Sequence, residues 1–408
     1  MKYSNVSFIV LFVLISFILA AKTKNADGKR SSVSIEEEED IAFERQLKNL
    51  NKKPIKTIMT KYGDTVDCIN IHKQPAFDHP LLKDHKIQMV PSFIQEETTS
   101  NNISASSYRV SNIDNGFQNE RCPPGTVPIR RTKKQDLANA RYLLQKKINP
   151  NRTNSYSSSP MNYHFVSVEE LSQGKSYHGA AALISTHTLE LTYKQFSTAQ
   201  VWIENGPEEE KNSIQFGWLA YPAIFEDSHS RLMGYWTVDG GKQTGCFNVL
   251  CYGFVQVHDQ VFLGAVIEQI SIYGKLAYNM VARVYRDRTG NWWLMFNVII
   301  GYWPAEIFTH LDNASVVRYG GIAGAEPQTD TPPMGNGYLP QLQDYTKTAF
   351  IRKMKYIDDK GQLQNINPDG VQSKHDAKLD CYNILFAGNL GSDWEMSMTY
   401  GGPGGMCS

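Results

Sequence analysis

The chain has 408 residues, with 41 basic and 41 acidic side chains and a formal net charge of zero. A neutral balance supplies no basic field for a phosphate backbone, which excludes nucleic acid as the natural partner. With 21 Tyr, 7 Trp and 30 Gly, the composition fits short twisted strands and tight turns better than a helical bundle, and the length exceeds one ordinary core.

In chain order, Met1-Lys2-Tyr3 is a short basic start. Phe8 to Ala21 is an apolar run ending in small residues, the pattern of a removed signal peptide covering residues 1–21. It is short for a membrane span, so the expectation is an exported, secreted chain that has no membrane contact once the signal is removed. All six cysteines follow that run, and an even number in an exported chain predicts three disulfides. Proximity in sequence suggests Cys68–Cys122, Cys246–Cys251 and Cys381–Cys407, although fifteen connectivities are available. The four-residue gap between Cys246 and Cys251 is not a zinc or redox spacing. Asn102, Asn151 and Asn313 stand in sequons and are candidate glycosylation sites.

Ser34 to Leu50 has an acidic first turn, a basic end and Ile41, Phe43, Leu47 and Leu50 at helical spacing, which predicts one amphipathic helix. A compact unit follows from Ile58 to about Lys134, opening with an alternating strand at residues 65–71. His72, His79 and His85, with Asp78, lie within it, but their spacings of seven and six match no metal motif; they read as solvated or packing histidines, and no metal is expected. Asn151 to Pro160 is polar and serine-rich, the composition of a linker and an accessible cutting site. The predicted organisation is therefore a smaller α+β domain at 22–150, a linker at 151–160, and a second domain at 161–408. In that second domain short β-branched or aromatic runs recur at 189–193, 199–203, 254–256, 266–272, 281–285 and 292–300, which predicts an all-β antiparallel sandwich.

Several longer stretches carry a family resemblance. They are Gly63 to Gln88 and Cys122 to Leu137 in the first half. In the second half they are QVWIENGP from Gln200, IQFGWLAYP from Ile214, the run Arg231 to Gln256, TGNWWL from Thr289, GYWPAEIF from Gly301, MGNGYLP from Met334 and YGGPGGMC from Tyr400. In this order they resemble the neprosin family of secreted plant proteins over nearly the whole chain. The resemblance implies an activation-peptide domain ahead of an antiparallel β-sandwich. It also implies a zymogen of a glutamic endopeptidase that cuts after proline, with a peptide or protein substrate, proline-rich in nature, and the chain's own pro-segment as partners.

Such a peptidase needs no cofactor, but it needs two side chains at one water. A carboxylate takes the proton, and its partner, for which a glutamine amide suffices, supports the developing oxyanion. By resemblance the pair stands at Gln215, in Ile-Gln-Phe-Gly-Trp, and at Ile322, after Tyr319-Gly320-Gly321. Isoleucine at the second position removes the base. Glu204, Glu306 and Glu326 are the fallback carboxylates, with Glu326 expected more than about 12 Å along the strand from Ile322. His187, Asn336 and Tyr338 also depart from the family's residues. No G-x-S-x-G elbow is present, and every cysteine has a disulfide partner available. The readings left open are an impaired glutamic peptidase zymogen, a non-catalytic peptide binder, and a carbohydrate-binding sandwich using its tryptophans.

Overall fold

The computed structural model describes residues 35–92, 108–144, 162–172 and 174–407. The signal run, the 151–160 linker and the sequons at Asn102 and Asn151 lie outside the described residues. Residues 42–408 form one compact unit.

In chain order the elements are helix α1 (Ile35–Leu50), strands β1 (Lys56–Met59), β2 (Thr65–Asn70), β3 (Tyr108–Val110), β4 (Asn112–Asp114) and β5 (Thr126–Arg130), and helix α2 (Lys134–Leu144). Then come β6 (Asn162–Leu171), β7 (Gly179–Ser185), β8 (Phe196–Asn205), β9 (Asn212–Ala220), the one-turn helix α3 (Pro222–Phe225), β10 (Arg231–Thr237), β11 (Cys246–Phe247), β12 (Val255–Gln256) and β13 (Val266–Glu268). The rest are β14 (Ala277–Arg286), β15 (Trp292–Phe296), β16 (Val298–Trp303), β17 (Val316–Ala325), β18 (Ala349–Ile357), β19 (Leu363–Asn365), β20 (Val371–His375), β21 (Asn383–Asn389) and β22 (Met396–Gly401).

These strands build two large sheets and one small one. A nine-stranded sheet runs β20-β6-β17-β8-β9-β10-β13-β4, with β11 on β10. A ten-stranded sheet runs β12-β16-β15-β14-β7-β18-β22-β21, with β19 on β18 and β3 on β14. Strands β1-β2-β5 form the third. The large sheets face each other across one core, in which Ile214, Phe216 and Trp218 of β9 and Val201 and Ile203 of β8 join Ala182 and Ile184 of β7 and Met280 and Val284 of β14. The indole of Trp218 spans the layers and donates to the Ser185 carbonyl at 2.9 Å, so the buried indole N–H is satisfied. The all-β antiparallel sandwich is the observed fold, and the three expected disulfides, Cys68–Cys122, Cys246–Cys251 and Cys381–Cys407, are all present.

The segment ahead of residue 151 is woven into this sandwich. Strand β4 pairs with β13 at the end of the nine-stranded sheet, and β3 pairs in parallel with β14 in the other. Ile58, Val66, Leu82 and Phe117 share the main core. At the seam, Asp64 accepts from Arg130 Nε at 2.7 Å and from Arg231 Nη1 at 2.6 Å, all three side chains buried. Arg130 also donates to Asp136 at 2.8 Å and to the Ile224 carbonyl at 2.8 Å. Gln74 and Gln256 exchange two hydrogen bonds, Gln74 Nε2 to the Gln256 carbonyl at 3.0 Å and the Gln256 N–H to Gln74 Oε1 at 2.8 Å.

Three local expectations are corrected. Residues 189–193 form no strand, because the chain turns there: the Gln195 N–H donates to the Thr192 carbonyl at 3.0 Å, and the Thr192 N–H to Gln195 Oε1 at 2.9 Å. The run 292–300 is a hairpin of β15 and β16 rather than one strand. Asn297 turns the chain with φ 55, a left-handed angle asparagine tolerates, and its Oδ1 accepts from the Val281 N–H at 3.0 Å. Helix α2 was not expected; its sparse apolar positions Leu137 and Ala140 are enough because α1 and α3 bury them.

Candidate active site

Strand alternation sends every second residue of β6, β17, β8, β9 and β10 to the face of the nine-stranded sheet away from the main core. Gln215 and Ile322 both lie there. The register sets out rows across the strands. One row runs Phe165, Ile322, Thr198, Leu219, Arg231; the next Ser167, Gly320, Gln200, Gly217, Met233; the third Glu169, Arg318, Trp202, Gln215, Tyr235; and the fourth Leu171, Val316, Glu204, Ser213, Thr237. Gln215 and Ile322 are thus two strands and two rows apart, a Cα separation on the order of 15 Å by strand geometry. The structure places them on one face and does not bring them into contact.

Each is already engaged. Ile322 is 1% exposed and sits in an apolar cluster with Phe165, Phe196, Trp202, Leu219 and Tyr221. Its backbone N–H donates to Thr198 Oγ1 at 3.0 Å. Gln215 is buried, and its Oε1 accepts from Gln200 Nε2 at 2.7 Å. The row neighbours of Gln200, Gly217 and Gly320, carry no side chain, and a Cβ at either would fall 2.0 Å from a backbone carbonyl oxygen. Beside Gln215, burial pushes the Tyr235 phenol well up, which keeps it a neutral hydroxyl.

Among the described residues, the outward carboxylates of β6, β17, β8, β9 and β10 are Glu204 and one that motif reasoning missed, Glu169; at the far edge of the sheet Asp114 and Glu268 pair with Lys61. Glu204 and Glu169 are both buried and both meet Arg318 Nη2, at 3.1 Å and 3.0 Å respectively; Lys374 also pairs with Glu169, and Ser213 donates to Glu204 at 3.4 Å. This is a buried ion network, which fixes the side chains it contains. Its signal in the sequence is alternation alone: Val166 and Val168 point into the core, so Ser167 and Glu169 point out, and Arg318 precedes the inward Tyr319. Glu306 is far from this face, on the turn after β16, half exposed and paired with His85 Nδ1 at 3.0 Å. Glu326 lies beyond the end of β17 and pairs with Lys194 at 2.5 Å.

The apolar half of the face is covered from above. Phe43, Leu47 and Leu50 of α1 and Leu137 and Ala140 of α2 close over the cluster that holds Ile322. Gln46 Nε2 reaches the Leu250 carbonyl at 3.2 Å, and Asn139 Nδ2 the Ala223 carbonyl at 2.5 Å. The lid is therefore the segment expected as the pro-domain.

Among the other sequence candidates, His79 accepts from the Leu81 N–H and sits edge-on to Trp236, with burial lowering its pKa. His85 bridges Tyr302 and Glu306, while His72 lies exposed at a turn. Among the described residues no group of three or more His, Cys, Asp or Glu side chains could hold a metal. All seven tryptophans are buried, which removes the aromatic platform that sugar stacking would need from them. Asn313 is half-buried, and its carbonyl accepts from Asn205 Nδ2 at 2.8 Å.

The outer face of this β-sandwich therefore carries polar side chains beside an apolar patch that helices α1 and α2 cover. The chain belongs to the neprosin family: the family model described as Neprosin matches residues 193–403, more than half the chain, and the model described as Neprosin activation peptide matches residues 57–182. The second match extends through β6 into β7, so the activation-peptide region by sequence includes β4 and β6 of the nine-stranded sheet and β3 and part of β7 of the ten-stranded sheet. Two solved structures are also similar. A scytalido-glutamic peptidase with a transition-state analogue inhibitor has 10% identity and a TM-score of 0.35, and the match covers 59% of this chain and 98% of the other. The same peptidase with a peptide-based transition-state analogue has 9% identity and a TM-score of 0.32, with the same coverage.

Proposed function

We propose that this is an exported, zymogen-type member of the neprosin family that has lost the acid–base step of a glutamic peptidase. Its sandwich keeps a peptide-facing surface under the pro-segment, with cleavage after proline absent or very weak. The observation that carries the proposal is the state of the four outer-face groups. Ile322 is apolar and sealed, Gln215 is tied to Gln200, and Glu169 and Glu204 are both held by Arg318. The two carboxylates that the central strands present here are both committed to Arg318, so neither stands ready to take a proton from water. Loss of a general base lowers a rate by about a hundred- to ten-thousand-fold. Three disulfides support export. The test is acid incubation of the purified chain with a proline-containing peptide, read by mass spectrometry. No product is expected above the buffer control. Post-proline fragments that vanish in Glu204→Gln or Glu169→Gln would overturn the proposal.

A further inference from the structure

On the other large sheet, the segment Ile87–Ser92 lies against the turn between β14 and β15, and its contacts engage both ends of one side-chain amide. Gln88 Nε2 donates to Asp287 Oδ2 at 2.8 Å. Gln88 Oε1 accepts from Asn291 Nδ2 at 2.9 Å; Thr289 Oγ1 lies 3.0 Å from it, but the single Thr289 hydroxyl proton goes to Asp287 Oδ1 at 2.5 Å. The Gln88 backbone N–H donates to the Tyr302 hydroxyl at 3.0 Å. Further along, the Ser92 N–H donates to Asp287 Oδ2 at 2.9 Å, and Ser92 Oγ accepts from the Arg288 N–H at 3.0 Å. Ile87 packs on Trp293 and Tyr302, and Pro91 is buried, while Met89 and Val90 between them are exposed.

The receiving groups are prepared for this. Asp287, Asn291, Trp293 and Tyr302 are all buried. Asp287 Oδ1 is spent within its own turn, on the Thr289 N–H at 2.9 Å and the Asn291 N–H at 3.2 Å, which leaves Oδ2 aimed at the peptide beside the Trp293 indole N–H at 3.1 Å. Burial pushes the Asp287 carboxyl up, but the N–H and O–H donors around it, those of Ser92, Thr289, Gln88 and Trp293 among them, outweigh this and hold it below the usual carboxylate range. An ionised acceptor on one side, Asp287 Oδ2, and an amide donor on the other, Asn291 Nδ2, match a carboxamide. They mismatch a carboxylate, which cannot donate to Asp287 and would repel it.

We propose that Asp287, Asn291 and Tyr302 form a peptide-reading site for an extended segment with an apolar residue, then glutamine, then proline three residues after the glutamine, and that Ile87–Ser92 occupies this site in cis. The site lies away from Gln215 and Ile322 and does not depend on the fate of that pair. The test uses the full chain with Gln88→Ala or Gln88→Glu, and two synthetic peptides, KIQMVPS and the same sequence with Glu in place of Gln. Hydrogen exchange in residues 87–92 rises in both variants, more in Gln88→Glu. The Gln88→Ala chain then binds KIQMVPS with a change in tryptophan emission, the Glu peptide binds about ten- to a hundredfold more weakly, and the wild-type chain binds neither. Unchanged exchange in both variants would show that Gln88 anchors nothing. A released segment with no binding in trans, or with equal binding of the two peptides, would overturn the site.

Discussion

Strands β8, β9 and β17 present two faces that obey different rules. The inner face carries Val201, Ile203, Ile214, Phe216, Trp218, Val317 and Tyr319, all in one apolar core. The outer face mixes Gln200, Glu204, Gln215, Arg318 and Ile322, and what each of them does depends on its neighbour in the next strand and on the segment folded above. Burial alone decides the inner face, so any residue of the right size and polarity serves. On the outer face the chemistry resides in register: Glu169 and Glu204 become a structural network only because β17 places Arg318 between them.

That contrast can be broken from the inner side first. Trp218→Ala removes a fully buried indole and its bond to the Ser185 carbonyl. The expected loss is about 3–5 kcal/mol in urea or guanidinium unfolding. A loss below 1 kcal/mol would mean that the two sheets do not share one packed core.

The outer face is tested next, by Arg318→Met. It leaves two carboxylates buried at 1% and 5% side-chain exposure without their shared cation. The expected loss is about 3 kcal/mol, and adding Glu169→Gln and Glu204→Gln should restore most of it, because the uncompensated charge causes the loss. A triple variant no more stable than Arg318→Met would assign the loss to packing instead.

Much of this was legible before the coordinates, for reasons that differ by element. The inner alternation in Ile214-Gln215-Phe216-Gly217-Trp218, the three disulfides and strand β2 follow from local pattern, and the motifs carried the family. The short helix α2 and the hairpin at Asn297 were hidden: Leu137 and Ala140 are too sparse to announce a helix, and the apolar run 292–300 conceals its turn in a single asparagine. Gln215 and Ile322 were found by motif, but their separation follows only from how β9 and β17 register on β8. Glu169 and Arg318 are 149 positions apart in the numbering (318 minus 169), and no motif links them. The 22–150 segment reads in sequence as a smaller α+β domain folded against the second; no local pattern announces that its strands β3 and β4 pair with β14 and β13 of the large sheets.

A smaller effect sharpens the contrast through pH. His187 is fully buried beside Ser185 Oγ at 2.9 Å, and burial pushes its pKa down to about 3. The imidazole stays neutral in the folded chain, whereas the unfolded chain binds a proton below its ordinary value of about 6.5. Its contribution is therefore intact above about pH 6.5 and is lost as pH falls toward 3, at about 1.4 kcal/mol per unit. Between pH 6.5 and 5 this amounts to about 2 kcal/mol, which His187→Gln should remove. Denaturant midpoints of both chains at the two pH values give the answer. Equal slopes would show that His187 titrates freely when folded.

The most direct test of the functional claim is turnover itself. Wild-type chain, incubated at acid pH until no further processing occurs, is mixed with a proline-containing peptide in parallel with Glu169→Gln and Glu204→Gln chains. The expected result is three identical traces at the buffer baseline, because Arg318 holds both Glu169 and Glu204 and Ile322 offers no carboxylate. Steady post-proline cleavage by the wild type, lost in either variant, would contradict it.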